Sequence, residues 1–183
     1  MLLALILGVA VLTIPWSQDL LASPDSDKLE VKKEPGGGVR ATARVLFPAK
    51  TDVIQRLLTD YPRWPELFEV RMRVAALSVY NGVARVDLRI EHALMPGERR
   101  LVTESRILPG GGLVTDLKDG DFKQYHRVWK LRPVGEGNQT SADFELLFEL
   151  ESLVPDWMVA LAAQQELDAH FRIVKQKALE RSR

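Results

Sequence analysis

The sequence predicts an α+β domain in which a curved, seven-stranded antiparallel sheet packs on one long C-terminal helix. Two short helices are expected after the first strand. Apolar and polar residues alternate in one run before residue 48 and in six runs between residues 70 and 151. A helical apolar pattern interrupted by two prolines separates the first run from the others. Over residues 153–183, apolar residues recur every three or four positions, as in an amphipathic helix.

The composition is that of a globular protein with one domain. The chain has 183 residues, with 25 Lys and Arg against 25 Asp and Glu. A balanced charge argues against nucleic acid as a partner, and the lack of cysteine excludes a disulfide framework and a thiolate metal site. His92, His126 and His170 do not have metal-ligand spacing. We therefore expect no metal and no cofactor.

The first residues form an apolar segment ahead of the domain. Leu2 to Trp16 is almost entirely apolar, but it is shorter than the roughly 20 residues of a membrane span. It is typical of the central region of a secretory signal, although no Lys or Arg precedes it and cleavage after Ala22 lacks the usual small residue two places earlier. Residues 1–22 are thus either a signal peptide or a membrane anchor, and membrane association would go through residues 2–16.

Under either alternative the domain is expected outside the cytoplasm, exported to the periplasm or the exterior or held at a membrane. Residues 23–38 are charged, poor in apolar side chains and end in three glycines. Such a composition predicts a flexible linker, because it buries too little surface to offset the entropy of ordering. This leaves residues 39–183 as the folded domain.

The first strand and the two short helices follow directly. Val39–Phe47 alternates apolar and polar residues, which predicts a strand with one buried face. Thr51 can cap a helix whose apolar face consists of Val53, Ile54, Leu57 and Leu58. Asp60-Tyr61-Pro62 ends that helix, since the residue before a proline is pushed out of the helical region. Pro65 then begins a second short helix through Phe68.

Six further strands are joined by short turns. The turn signals are Asn81-Gly82, Pro96-Gly97, Gly110-Gly111-Gly112, Asp119-Gly120 and Gly135-Glu136-Gly137-Asn138. In the clearest strand, one face consists of Ala84, Val86, Leu88, Ile90, His92 and Leu94. Successive strands with tight turns predict an antiparallel meander with one solvated and one buried face. The final helix begins at Pro155-Asp156, where a proline and an acidic residue suit a helix N-terminus.

The order of strand, two short helices, six strands and long helix resembles the START-like helix-grip (SRPBCC) superfamily. It is most similar to the polyketide cyclase/dehydrase, lipid-transport and coenzyme Q-binding branch. The segments that carry the resemblance are Leu57 to Pro65, Trp129-Lys130-Leu131 and Val154-Pro155-Asp156-Trp157. The resemblance covers residues 39–183 and implies a cavity between the concave sheet and the long helix, holding an apolar ligand. Carriers and enzymes share such folds, so the activity stays open.

The candidate ligand-binding residues lie on the faces expected to line that cavity. They are Trp64, Phe68, His92, Thr103, Ser105, Tyr125, Arg127, Trp129, Phe144, Phe148, Trp157, Leu161 and Phe171. Trp64 and Phe68 either line an entrance or pack in the core. Thr103 and Ser105 either offer hydroxyls to a ligand or bond locally.

Two polar residues are of particular interest. His92 is either a general acid/base in the cavity or a satisfied core histidine near a strand end. Arg127 shares a strand face with Tyr125 and could hold a carboxylate, a phosphate or a polar headgroup. The alternative is that Arg127 pairs with a carboxylate, or that the face is reversed so that His126 and Val128 point inward.

Three functions are compatible with these residues. The first is binding or transfer of a hydrophobic small molecule, such as a lipid, a quinone or a polyketide-like compound. The second is a cyclase/dehydrase-type enzyme, in which His92, Arg127 and Tyr125 polarise a carbonyl and move a proton. The third is a protein-interaction or regulatory module. We favour the first, because the sequence lacks an evident nucleophile–base set.

Overall fold

A computed structural model describes residues 28–182 and shows one antiparallel sheet packed on a long helix. The elements in chain order are β1 (Lys28–Lys33), β2 (Val39–Phe47), α1 (Thr51–Thr59), a 3-10 helix (Tyr61–Leu67), β3 (Arg71–Tyr80), β4 (Val83–His92), β5 (Met95–Ile107), β6 (Gly112–Gly120), β7 (Phe122–Val134), a 3-10 turn (Gly135–Gly137), β8 (Gln139–Leu150) and α2 (Asp156–Arg181).

The strand order in the sheet is β1-β2-β8-β7-β6-β5-β4-β3. β2 pairs with β8, so an early strand lies beside the last one. The strands from β3 to β8 follow one another as the predicted meander. α1 and the 3-10 helix carry the chain from β2 to the opposite edge, where β3 begins. These two helices therefore cross one end of the concave face.

Within residues 28–182 the sheet has eight strands, so the prediction of seven is wrong, and so is the assignment of all of residues 23–38 to a flexible linker. β1 pairs with β2 from Lys28↔Arg44 to Lys33↔Val39. Leu29 and Val31 pack against the core, while the charged residues of β1 are exposed. β1 is an edge strand with only two apolar residues. Its composition is therefore as charged as that of a linker. The remaining linker residues, 23–27, and the apolar segment 1–22 lie outside the described residues.

The predicted second short helix from Pro65 is also corrected. A 3-10 helix begins directly after Asp60 and runs from Tyr61 to Leu67, with Pro62 in its first turn and Pro65 inside it. Tyr61, Trp64 and Leu67 recur every third residue and are all buried. Three residues per turn bring such positions onto one face, and the proline inside does not prevent this short helix from forming.

The buried faces of β2, β4, β7 and β8 follow the predicted alternation. In β7 the buried residues are Arg127, Trp129 and Leu131, so the alternative with His126 and Val128 inward is wrong. The predicted Asn81-Gly82 turn joins β3 to β4 with both residues at positive φ. Gly112 begins β6 with φ +108, and a Cβ there would lie 2.0 Å from the carbonyl oxygen of Trp129. Only glycine fits that approach.

α2 spans 26 residues and begins after Pro155, as predicted. Its buried residues are Val159, Ala163, Leu167, Ala169, His170, Phe171, Val174 and Ala178. These face the concave side of the sheet and close the core between the two layers. Among the described residues, no helix combines the length and the apolar composition that crossing a bilayer requires.

Candidate functional site: an apolar cavity with a buried guanidinium

A cavity of about 180 Å³ lies between the concave face of the sheet and the first half of α2. It is lined by Trp64, Phe68, Val70, Met72, Leu88, Ile90, His92, Leu94, Met95, Leu101, Phe122, Tyr125, Arg127, Leu146, Phe148, Leu150, Val154, Val159, Ala162, Ala163, Glu166 and Leu167. The wall is therefore apolar apart from a few polar side chains. This is the composition of a site for an apolar ligand.

The cavity has a buried end and a partly exposed end. Trp64, Arg127 and Leu146 at the buried end are each less than a tenth exposed. Leu94 and Val154, in the β4–β5 turn and just before α2, are partly exposed. A ligand would enter from this second side, because the 3-10 helix and the core close the first.

Arg127 lies at the buried end. Its side chain comes from the middle of β7, where it sits in one row across the sheet with Thr115 and Ser105. Arg127 is 7% exposed, and its guanidinium carbon lies 4.7 Å from the centre of the Trp64 ring. Within the described residues, the guanidinium makes no ion pair, and its Nε has no hydrogen-bond partner. The guanidinium thus lies in the cavity wall against the Trp64 ring, without an anionic partner among the described residues.

The Trp64 ring is held in place by its own contacts. Its Nε1 donates a hydrogen bond of 2.9 Å to the carbonyl oxygen of Leu58 at the end of α1. Tyr61 packs edge-on against it, with ring centres 5.0 Å apart. The proline-rich segment therefore fixes the ring over which the guanidinium lies. Such cation–π contacts contribute roughly 2 kcal/mol when the cation is desolvated.

The charge of Arg127 acts on two buried titratable groups, His170 and Tyr61, which are both neutral at pH 7. Burial lowers the pKa of His170 to about 4, and the charge of Arg127 adds to this effect, against the opposing hydrogen bond to Leu67. His170 donates from Nδ1 to the Leu67 carbonyl oxygen at 2.7 Å, so its buried Nε2 carries a lone pair. Burial raises the pKa of the Tyr61 phenol, and Arg127 opposes that shift. Neither group supplies a negative charge to the guanidinium.

His92 and Glu166 form the second polar group in the cavity wall. The backbone N–H of Leu94 donates to His92 Nδ1 at 3.1 Å, so the neutral ring carries its proton on Nε2. That nitrogen lies 3.8 Å from Glu166 Oε1, beyond good hydrogen-bond range. Glu166 Oε2 is buried without a partner among the described residues. The pair links the end of β4 to α2.

Six of the predicted residues line the cavity, namely Trp64, Phe68, His92, Tyr125, Arg127 and Phe148. Phe68 also stacks on His170, with ring centres 4.2 Å apart. Whether these side chains bind a ligand stays a prediction. Their positions follow from strand alternation and from the buried face of the 3-10 helix.

Other predicted residues belong to the core instead. Trp129, Phe144 and Phe171 pack on one another, with ring centres between 4.6 and 5.7 Å apart. They fill the space beyond the buried end of the cavity. Ser105 bonds locally, since its Oγ lies 2.9 Å from Thr115 Oγ1. Thr103 is buried outside the cavity wall, and its hydroxyl has no partner among the described residues.

The prediction that Trp157 and Leu161 face the cavity is wrong. Trp157 is 59% exposed and Leu161 is 57% exposed. The helix turns Val159, Ala163 and Leu167 toward the sheet, and a residue two positions from a buried one lies about 200° around the helix axis. Apolar residues occur on both faces of this segment, so hydrophobicity alone does not identify the inner face.

The three residues of the cyclase alternative, His92, Tyr125 and Arg127, all line the cavity. Tyr125 and Arg127 are successive inward positions on β7. The row of Arg127 continues across the sheet through Thr115 and Ser105 to Ala84 on β4. His92 lies four inward positions further along β4 than Ala84. Within the described residues no hydrogen bond joins the three side chains. The three side chains therefore share one cavity wall but form no hydrogen-bonded acid–base set among the described residues.

Sequence reasoning missed Tyr61, Glu166 and His170 as parts of the site. The recurrence of Tyr61, Trp64 and Leu67 at every third residue was a signal for Tyr61. Glu166 precedes the buried Leu167, so a helical wheel centred on Ala163 and Leu167 places it at the edge of the inner face. His170 follows Leu167 by three residues, which is the helical spacing of a buried face.

An antiparallel sheet curved around a long helix, with an apolar cavity between them, defines a START-like domain. The chain belongs to the polyketide cyclase/dehydrase and lipid transport family, whose model matches residues 47–170. This confirms the resemblance found in the sequence.

Individual relatives are distant. The ribosome association toxin RatA of Pseudomonas aeruginosa is 24% identical over 98 residues, which cover 54% of this chain and 65% of that protein. A START superfamily protein from Mycobacterium smegmatis has 19% identity and a TM-score of 0.61, covering 77% of this chain and 97% of that one. The Zhui aromatase/cyclase from Streptomyces sp. R1128 has 12% identity and a TM-score of 0.63, covering 84% and 97%. The structural likenesses concern the fold alone.

Proposed function

We propose that this protein binds a hydrophobic small molecule, such as a lipid, a quinone or a polyketide-like compound, to sequester or transfer it. One observation carries the proposal: the apolar cavity between the concave sheet and α2. The family description, which names both lipid transport and polyketide cyclisation, supports an apolar ligand. The wall is apolar enough to accept such a ligand, and its few polar groups are suited to orienting it.

The size of the cavity fits a small ligand. About 180 Å³ is below the roughly 300–1,000 Å³ of sites for drug-sized molecules. An apolar cavity of roughly 150 Å³ is nevertheless large enough to bind benzene. A single ring or a short chain therefore fits without expansion of the fold. This favours ligand binding over an interaction module, for which an internal cavity has no evident use.

Binding is also favoured over catalysis. No hydrogen bond within the described residues joins His92, Tyr125 and Arg127, so the cyclase alternative is supported only by their place in one cavity wall. We further propose, from the sequence pattern of residues 1–22, that the domain acts outside the cytoplasm or at a membrane.

A cavity-filling variant tests the proposal. Ala162 lines the cavity, whereas Gln165 on the same helix is exposed. We expect Ala162→Phe to lower the affinity for an apolar fluorescent probe at least about tenfold, since its ring takes up the ligand's space. Gln165→Phe adds the same ring outside and should bind the probe like the wild type. Fluorescence titration measures both, with thermal unfolding as the check on folding.

Two results would contradict the proposal. One is a wild-type protein that does not enhance the emission of the probe. The other is equal loss of binding in Ala162→Phe and Gln165→Phe, which would place the probe on the surface of α2 and not in the cavity.

A further inference from the structure

We infer that the buried end of the cavity binds the carboxylate of a small amphipathic acid, with Arg127 as its counter-ion. The apolar body of the acid then points toward the partly exposed end near Leu94 and Val154. This inference rests on the proposed function, because it names the chemical class of the ligand that the same cavity holds.

The buried guanidinium of Arg127 lowers the stability of the ligand-free protein. A guanidinium stays protonated in proteins, so burial cannot neutralise it. Arg127 is 7% exposed and lines the cavity, yet within the described residues it has no anionic partner. An unpaired buried charge costs several kcal/mol. A ligand that brings a negative charge to this position would offset that cost.

Among the described residues, no side chain near Arg127 supplies the negative charge that the guanidinium lacks. Glu166, the carboxylate in the same wall, lies beside His92 and forms no ion pair with Arg127. The Trp64 ring offers only its π face. The Tyr61 phenol is held neutral, since burial raises its pKa. The Nε–H of Arg127 is left without an acceptor, and a carboxylate can accept from the planar guanidinium at two points.

The charge of the site favours a monoanion. Among the described residues of the cavity wall, Arg127 is the one Arg or Lys side chain. Burial lowers the pKa of the nearby His170 to about 4, so that ring adds no positive charge at neutral pH. A phosphate with two negative charges would be only half compensated. A carboxylate matches the single guanidinium.

The rest of the wall sets the orientation. Beyond Arg127 the cavity is lined by apolar side chains, among them Leu88, Leu101 and Leu146. An alkyl chain or a ring fits that surface, while a charged head placed there would be desolvated without a partner. The head therefore goes to Arg127 and the tail toward the opening. His92 and Glu166 then lie beside the body of the ligand.

A ligand series that varies only the head tests this inference on the full, delipidated chain. The probes are a medium-chain fatty acid, the alcohol and the methyl ester of the same chain length, and the matching alkyl phosphate. Calorimetry should show that the wild type binds the acid about 10- to 100-fold more tightly than the ester. Arg127→Met should lose that preference and keep the affinity for the ester.

Two controls separate charge from folding. Lys130→Met removes the same charge from the outer face of β7 and should keep the preference for the acid. Arg127→Lys retains the charge but not the planar fork, and should keep part of the preference. Arg127→Met should be at least as stable as the wild type without ligand, since an unpaired buried charge is replaced by an apolar chain.

The outcomes distinguish this inference from the proposed function. If the wild type binds acid, alcohol and ester equally, the inference fails while apolar binding stands. If it binds none of them and no apolar probe, both fail. Tighter binding of the alkyl phosphate than of the acid would overturn the carboxylate assignment. An unchanged preference in Arg127→Met would show that another group holds the head.

Discussion

His170 lies at the contact between α2 and the 3-10 helix, with almost no access to solvent. It donates to the Leu67 carbonyl oxygen and stacks on Phe68, so one side chain fixes the end of the cavity to the helix. Burial lowers its pKa from 6.5 to about 4. The folded state therefore holds the neutral ring, while the unfolded state takes up a proton below its ordinary pKa.

This shift predicts a pH-dependent stability. Because the folded pKa is depressed, the stabilisation is fully present above about pH 6.5 and is lost as the pH falls toward 4. Between conditions near pH 7.5 and near pH 5, His170 should account for a loss of about 2 kcal/mol in the free energy of unfolding. Urea unfolding of wild type and His170→Gln at both pH values measures it. Equal pH dependence in the two proteins would contradict the assignment.

At the scale of residues, the alternation in the strands predicted inward-facing side chains better than the apolar spacing in α2 did. The alternation in β7 predicted two opposite faces but left open which of them points inward, and the structure turns Arg127 inward. The lack of an ion partner for Arg127 depends on which side chains other strands and α2 bring near it. That information is not in the local pattern. Thr103 and Ser105 show the same limit, because only the pairing of β5 with β6 places Thr115 beside Ser105.

Among the elements, α2 has two apolar faces with different roles. The inner face closes the cavity and the core, while Trp157 and Leu161 on the other face are exposed. The C-terminal half of α2 is joined to the proline-rich segment by ion pairs, from Lys177 to Glu66 at 2.9 Å and from Arg181 to Asp60 at 2.9 Å. These exposed pairs add little stability singly, but they fix the orientation of the helix.

The orientation of α2 is testable with one substitution on each face. Leu167 is 6% exposed and lines the cavity, and Leu161 is 57% exposed. We expect Leu167→Ala to reduce the free energy of unfolding by about 2–4 kcal/mol, since it leaves unfilled volume in the core. Leu161→Ala should change it by less than about 0.5 kcal/mol. Chemical denaturation measures both, and a larger loss for Leu161→Ala would show that the helix is turned the other way.

β1 shows why one element was missed. Its apolar residues, Leu29 and Val31, do alternate with charged ones, so a strand signal of period two was present. Two apolar positions were too few against the charged residues and glycines around them. The strand forms because β2 offers a paired edge and α2 covers its inner face. Such tertiary support cannot be seen in the local sequence.

At the scale of the whole molecule, the main hydrophobic core adjoins the apolar cavity. The core fills the space between the C-terminal half of α2 and the sheet, around Trp129, Phe144 and Phe171. The cavity occupies the space beside the N-terminal half, with Arg127 at the boundary between them. The order of elements in the sequence predicted a sheet packed on a long helix. The family resemblance that this order carries implied the concave sheet and the cavity. The boundary between packed core and cavity could not be predicted, since both use the same apolar residues.

The most direct test of ligand binding is native mass spectrometry of the full chain, purified without detergent from cells that make it. We predict that the wild type carries an apolar molecule of a few hundred daltons at most, in keeping with a cavity of about 180 Å³. Organic extraction would release it, and Ala162→Phe should carry none. A wild-type protein without any bound mass, or the same mass retained on Ala162→Phe, would contradict the account.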